Sequence, residues 1–339
     1  MKAAVYYGVQ DVKTEEVEKP VIGDNEILIK VKACGICGSD LHMYKLGLFA
    51  DMLCRPLDKG GIPGHEFSGD VVEVGSQVQG IEIGDRVGTF SRGGMAEYTP
   101  VTVFPGLNVF KLPPEVSYEE AATLEPLANS LHAMLKANPA SGENAVIFGA
   151  GIIGLGVIQC LKALEVGLNR LIMVDVSKHR LEFAKRLGAD EVINAAEEDT
   201  VQKVTELIGS APLMFYSAVT APLVDIVYDC VGYIKERPEP PVIQQAMDLA
   251  RDFTGRIVAH GIFEENVSLN LLPMVAKQIN ILGSFGLLPP EVEQALELMR
   301  TKKVDRQGLI SHEFPLDQAG EAFEIQCQVE ESVKVLLKP

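Results

Sequence analysis

The sequence contains no apolar run of the roughly 18 to 20 residues that a membrane-spanning helix needs, so no membrane span is expected. Its first stretch, MKAAVYYGVQDVK, holds no apolar signal core and meets acidic residues early, which argues against secretion. Cysteine is scarce: six in 339 residues do not make a disulfide framework, and a reducing cytoplasm is the expected compartment. Positive charge is in short supply. With 30 Lys and Arg against 47 Asp and Glu, the net charge of −17 would repel phosphates, which excludes nucleic acid as a partner. The acidic residues are scattered over helix-like stretches such as 291–297, the pattern of a solvated face. Neither an internal repeat nor a low-complexity segment is present.

A chain of 339 residues exceeds one ordinary core and suits two domains, and 47% hydrophobic against 23% charged residues is the composition of a soluble globular protein. The first hundred or so residues read as short strands and turns: 26–33 alternates, 69–74 is β-rich, and Gly75, Gly80 and Gly84 fall at turn-like intervals. From Asn144 the texture changes. NAVIFG is a buried strand, 152–166 a helix, RLIMVD a second strand and 177–187 an amphipathic helix with Ser177 as N-cap. DIVYDCVG, GRIVAHG and INILGSFG continue the series, which implies a mostly parallel, doubly wound α/β sheet. After Pro289 and Pro290 come a helix, a strand at 309–314, a helix from Leu316 and a final strand, VKVLLK.

Two constellations carry chemistry. The first is Gly149-Ala150-Gly151-Ile152-Ile153-Gly154, which follows a strand and opens a helix, with Asp175 ending the next strand 21 positions after Gly154. That context is what dinucleotide binding requires: glycines admit the pyrophosphate, the helix N-terminus offers amides, and the acid meets ribose hydroxyls. The second is Cys37, Ser39, Asp40 and His42 in CGICGSDLH, with His65 and Glu66 in PGHEFSG. Thiolate, imidazole and carboxylate are zinc ligands, and three protein ligands with an open position define a catalytic site. Cys37 and His65 lie 28 residues apart, so only a fold can join them. Cys34 and Cys37 form a CxxC, but no second CxxC exists to complete a four-cysteine site. Cys34, Cys54, Cys160, Cys230 and Cys327 read as packing residues.

CGICGSDLH, GHEFSGDVVEVG, GDRV, LEPLANSLHA, GAGIIG and VDVSKHR occur in this order along nearly the whole chain. Together they resemble the zinc-containing medium-chain dehydrogenases, especially the sorbitol, threonine and butanediol dehydrogenase branch. The resemblance implies a GroES-like β-barrel catalytic domain from both chain ends, 1–126 and 287–339, with a Rossmann NAD-binding domain at 127–286 and an active site in the cleft between them. It implies zinc ligation by Cys37 and His65, with Glu66 a ligand in some states. Glu125 stands where classical alcohol dehydrogenases have a second cysteine, and which glutamate binds at rest stays open. Asp40 would take the His65 ring proton, Ser39 would hydrogen-bond the substrate oxygen, and His42 would continue a proton relay. Arg180 resembles an adenosine contact, and His260, Ile262, Ser284 and Phe285 match the nicotinamide side. His132 is family-like and expected in helix packing.

Two departures stand out. The four-cysteine lobe that holds a structural zinc in many relatives is missing, because Val87 runs through GTFSRGG straight into MAEY. Conversely the connection 207–224 is long and apolar, with Pro212, Leu213, Met214, Phe215 and Tyr216, and packs either on its own domain or on another subunit. The expectation is an NAD(H)-linked oxidation of a small polyol or other secondary alcohol with one catalytic zinc per subunit. Its rivals are a zinc-free quinone reductase and a non-catalytic NAD-binding protein. INILGSFG, an apolar terminal strand, implies a homodimer or homotetramer. The segment 44–57 is expected to line the pocket mouth.

Overall fold

A computed structural model describes residues 1–215, 217–234 and 240–339. The chain divides into two compact units, Met1–Ala128 with Leu288–Pro339, and Asn129–Leu287.

The first unit is built on the strand Glu26–Gly35. Seven of its ten residues are apolar or small, and its core side is fully buried, as a strand flanked on both sides must be. It pairs antiparallel with Glu66–Val74 on one edge. On the other it meets Tyr98–Thr102 near its start and the C-terminal strand Lys334–Lys338 near its end. Leu336 lies opposite Gly35, so the last residues of the chain sit beside the CGICGSD segment. Two helices that sequence texture does not announce, Gly38–Leu46 and Ala50–Leu53, interrupt the strands. The first begins because the Asp40 carboxylate accepts the Cys37 N–H at 2.9 Å. It ends at Gly47, whose φ of 72° suits a glycine and whose N–H returns to the Met43 carbonyl.

The second unit is a six-stranded sheet. From edge to edge the strands are Glu191–Asn194, Arg170–Asp175, Asn144–Phe148, Ile226–Asp229, Arg256–Ala259 and Asn280–Gly283. Every neighbouring pair is parallel. The order reverses between Asn144–Phe148 and Ile226–Asp229, the switch point where such sheets bind ligands beyond their carboxyl ends. Val146, Ile147, Ile172, Met173, Val227 and Val258 are fully buried, each contributing about 1.5–3 kcal/mol of hydrophobic stabilisation.

Two expectations are refined. The connection 207–224 is not without regular structure: it holds a two-stranded antiparallel hairpin, Ser210–Pro212 with Thr220–Pro222. Leu213 packs inward and the Phe215 ring lies edge-on to Phe253, while Met214 and Phe215 stay exposed; Tyr216 lies outside the described residues. Nor does the whole of 44–57 form a pocket wall. Tyr44 is buried against Phe323 and its hydroxyl donates to Glu324, and Leu57 packs on the cluster of Ala3, Val5, Ile62 and Ala96.

Candidate active site

In the first unit the fold closes the 28-residue gap. The ligand atoms of Cys37, His65 and Glu66 all lie within 4.8 Å of one another, the one such group among the described residues. Cys37 precedes the helix Gly38–Leu46; His65 and Glu66 open the strand that pairs with Glu26–Gly35. Burial, reinforced by the Glu66 charge and opposed by His65, pushes the Cys37 thiol above its ordinary value, so a metal must displace its proton. Glu125, in the first turn of Leu124–Lys136, stands outside this trio, yet its charge acts on both Cys37 and His65.

The donor set fits zinc: sulfur, imidazole nitrogen and carboxylate oxygen from three ligands make a catalytic rather than a structural site. A second observation agrees. Buried polar atoms almost always have hydrogen-bond partners. Here the hydroxyl of Ser39, Asp40 Oδ1, His65 Nδ1 and Glu66 Oε1 are all buried without one. The expected Asp40–His65 contact is open at 3.8 Å, because the other Asp40 oxygen is engaged at the helix start.

Sequence reasoning missed Lys334. Its ammonium is fully buried, donates to the Ile36 carbonyl at 2.9 Å and forms an ion pair with Glu66 Oε2. One Glu66 oxygen is thus held and the other is buried without a hydrogen-bond partner. Gly35 makes room for the pair: a Cβ there would come within 2.5 Å of Glu66 Oε2 and 2.6 Å of Lys334 Cε. The available signal was a lysine in an otherwise apolar final strand.

The second unit gathers the coenzyme candidates. Gly149 has φ 94°, and a Cβ on Gly154 would stand 1.9 Å from the Gly149 carbonyl oxygen, so both positions need glycine. Gly151 is the N-cap of the helix Ile152–Ala163, which begins with Ile152 and Ile153. Asp175 ends its strand beside this loop and accepts from the Ala150 N–H at 2.6 Å and the Ser177 N–H at 2.8 Å. A guanidinium nitrogen of Arg180 approaches the Cβ direction of Gly151 to 4.0 Å, whereas Lys178 is paired with Glu197.

His260 and Ser284 follow the ends of adjacent strands and join through Nδ1 and Oγ at 3.1 Å. Burial, aided by the charge of His132, lowers His260 to about 4, so it is neutral at physiological pH. His132, expected in helix packing, lies on the helix Leu124–Lys136, within electrostatic reach of His260. The Ile262 carbonyl accepts from Tyr233, and Phe285 is 80% exposed. His42 lies on the helix one turn beyond Ser39.

Comparison with known proteins accounts for both units. The profile "Alcohol dehydrogenase GroES-like domain" matches residues 23–114, and "Zinc-binding dehydrogenase" matches residues 153–301. A sorbitol dehydrogenase of Bombyx mori is 30% identical, with 95% of this chain and 94% of that protein covered. An L-idonate 5-dehydrogenase of Vitis vinifera is 31% identical over 98% of this chain and 93% of its own. The crystal structure of 2R,3R-butanediol dehydrogenase from Bacillus subtilis superposes with a TM-score of 0.82 at 30% identity, covering 100% of this chain and 99% of that one. With its ligand cluster in a GroES-like unit and its glycine fingerprint in a Rossmann sheet, the chain belongs to the zinc-containing medium-chain dehydrogenases, in the alcohol and polyol branch that acts on CH–OH groups.

Proposed function

We propose that the protein oxidises a small polyol or other secondary alcohol to a ketone, with one zinc per subunit and NAD as coenzyme. The observation that carries this reading is the grouping of Cys37, His65 and Glu66 within 4.8 Å. Cys37 and His65 hold the metal, with Glu66 or Glu125 completing the protein ligands. When bound, zinc supplies a Lewis acid that polarises the alcohol oxygen, and the nicotinamide supplies the hydride acceptor. The chain's own residues manage the proton. Ser39 Oγ, buried and unpartnered, takes the proton of the substrate hydroxyl and passes it to the imidazole of His42. Asp40 orients the His65 ring. The catalytic division is 1–126 with 287–339, and 127–286 binds the coenzyme through Gly149, Gly151, Ile152, Ile153, Gly154, Asp175 and Arg180 at the adenosine end. His260, Ile262, Ser284 and Phe285 serve the nicotinamide end.

A carboxylate at position 125 in place of a thiolate makes the metal site harder and richer in oxygen, which suits a substrate offering a neighbouring hydroxyl. The test compares kcat/KM for 2,3-butanediol, sorbitol, threonine and 1-hexanol by NADH absorbance, with and without zinc. Turnover should need zinc, and elemental analysis should find close to one per subunit; a reproducible two would contradict the single site. A tenfold advantage for hexanol, about 1.4 kcal/mol of transition-state discrimination, would end the polyol assignment and leave the dehydrogenase standing.

NAD should be preferred over NADP. The Asp175 carboxylate faces the fingerprint loop, where a 2′-phosphate would add like charge, and Lys178 is engaged by Glu197. Such repulsion amounts to a few kcal/mol at most, roughly 332/(ε·r) with a high effective ε, so preference rather than exclusion is expected. Equal kcat/KM for the two coenzymes would mean that Arg180 captures the phosphate.

The assembly is a homodimer or homotetramer in which the Asn280–Gly283 edges pair about a two-fold axis. Ile281 is 38% exposed on that edge, with Leu271, Leu272 and Val275 exposed in the same unit. Light scattering should give at least a dimer at micromolar concentration; a stable monomer removes this assembly.

A further inference from the structure

One half-buried arginine in the first unit, Arg55, has no counter-ion among the described residues. Arg55 opens a two-residue strand, Arg55–Pro56, that pairs with Gly61–Ile62, so Arg55 lies opposite Ile62, three residues before the ligand His65. Its Nε and Nη2 are buried and make no hydrogen bond. Burial depresses its basicity, and no carboxylate among the described residues acts against that. Its side chain lies along Gly93, where a Cβ would come within 2.9 Å of Nε and 3.0 Å of Arg55 Cβ. The loop around Gly93 is tied to the metal-ligand segment, since Gly94 N–H donates to the Gly64 carbonyl at 2.9 Å and Met95 N–H to Pro63 at 3.1 Å. A second guanidinium adjoins: Arg92 is exposed and donates to the Asp51 backbone carbonyl at 3.3 Å. The preceding residue, Cys54, is raised by burial and then by the charge of Asp40, which itself stands 3.8 Å from His65.

Guanidinium donors withdrawn from water and left unpaired destabilise a fold, and buried arginine is ordinarily retained against a carboxylate or phosphate. Among the described residues no carboxylate meets the Nε or Nη2 of Arg55. We propose that Arg55, assisted by Arg92, receives an oxyanion, a carboxylate or a phosphate monoester, carried by the alcohol substrate away from its reacting carbon. The inference rests on the dehydrogenase reading above and narrows its substrate class to anionic polyols. Both sources present coplanar or tripodal oxygens that a guanidinium fork meets with two hydrogen bonds, and a neutral polyol does not.

The experiment uses the zinc-loaded enzyme and three substrates with one carbon skeleton: a hexitol, its terminal phosphate ester and the corresponding aldonate. One of the two anions should exceed the neutral hexitol in kcat/KM by tenfold or more, and which one identifies the source. In Arg55→Gln that ratio should fall to about one, mainly through KM, and Arg55→Lys should recover part of it. A wild-type preference for the neutral hexitol, or an unchanged ratio in Arg55→Gln, overturns the proposal. Calorimetry with inorganic phosphate and with acetate supplies a readout independent of turnover. Wild type should bind one of them and Arg55→Gln should not; equal behaviour refutes the receptor even if no alcohol is oxidised at all. Loss of the dehydrogenase reading is instead seen as no NADH from any of the three substrates. Finally, Arg55→Met should melt no lower than wild type. A lower Tm with a proportional loss on all substrates would make Arg55 a structural residue and sink the idea.

Discussion

Cys37→Ala should lower kcat/KM by about a thousandfold or more, at least roughly 4 kcal/mol of transition-state stabilisation, while NADH affinity changes less than twofold. The reasoning starts from the ligand count. With three donors grouped within 4.8 Å, removing the thiolate leaves a nitrogen and a carboxylate, too few to retain zinc against water. The glycine fingerprint and Asp175 belong to the other compact unit, with its own sheet and core, so no coenzyme contact named above is lost. Elemental analysis, NADH fluorescence titration and turnover on the same preparation check all three parts. Retention of a full zinc equivalent in the variant would show that Glu125 and Glu66 hold the metal without Cys37.

The second large effect concerns Lys334. Lys334→Ala should destabilise the metal-free protein by about 3–5 kcal/mol, because Glu66 is left as a buried carboxylate without its counter-ion. For a unit of this size that corresponds to a fall in Tm of roughly 8–15 °C, measured by circular dichroism. The ion pair itself need not stabilise the fold much, since desolvation of both groups offsets most of their attraction. The double variant Glu66→Gln with Lys334→Met should therefore regain at least half of the loss, and it should bind zinc more weakly than wild type. A single-variant loss below about 1 kcal/mol would mean that water or a rearranged neighbour compensates Glu66 at no cost. The sequence position of Lys334, 268 residues from Glu66, makes this coupling a property of the folded chain alone.

Much of the second unit was legible from local pattern. NAVIFG, RLIMVD, DIVYDCVG and GRIVAHG are short apolar runs with helices between them, and each became a parallel strand within three residues of its expected ends. Ser177 caps its helix as expected, its hydroxyl accepting the Arg180 N–H. The first unit was read less well. The helix Gly38–Leu46 has little apolar periodicity, because its first turn is occupied by Ser39, Asp40 and His42, and a side-chain cap rather than a buried stripe starts it. The hairpin 210–222 carries proline at two strand ends and exposed apolar residues at its tip, which read as an irregular loop.

Identity of residues and local spacing, then, were enough to determine the alternation of strands and helices and the glycine fingerprint with its acid, and to single out Cys37, His65 and Glu66 as candidate metal ligands. These depend on steric and chemical properties that a side chain carries wherever it stands. Only the tertiary structure decided which atoms meet. It brought the last strand alongside Gly35 and so placed Lys334 on one oxygen of Glu66. It left Asp40 3.8 Å from His65, brought His132 within electrostatic reach of His260, and turned Tyr44 into the core. It also buried the Nε and Nη2 of Arg55 without a partner. Pairings of this kind join residues tens to hundreds of positions apart, and no periodicity along the chain encodes them. They follow from strand register and from the desolvation of charges that close packing enforces.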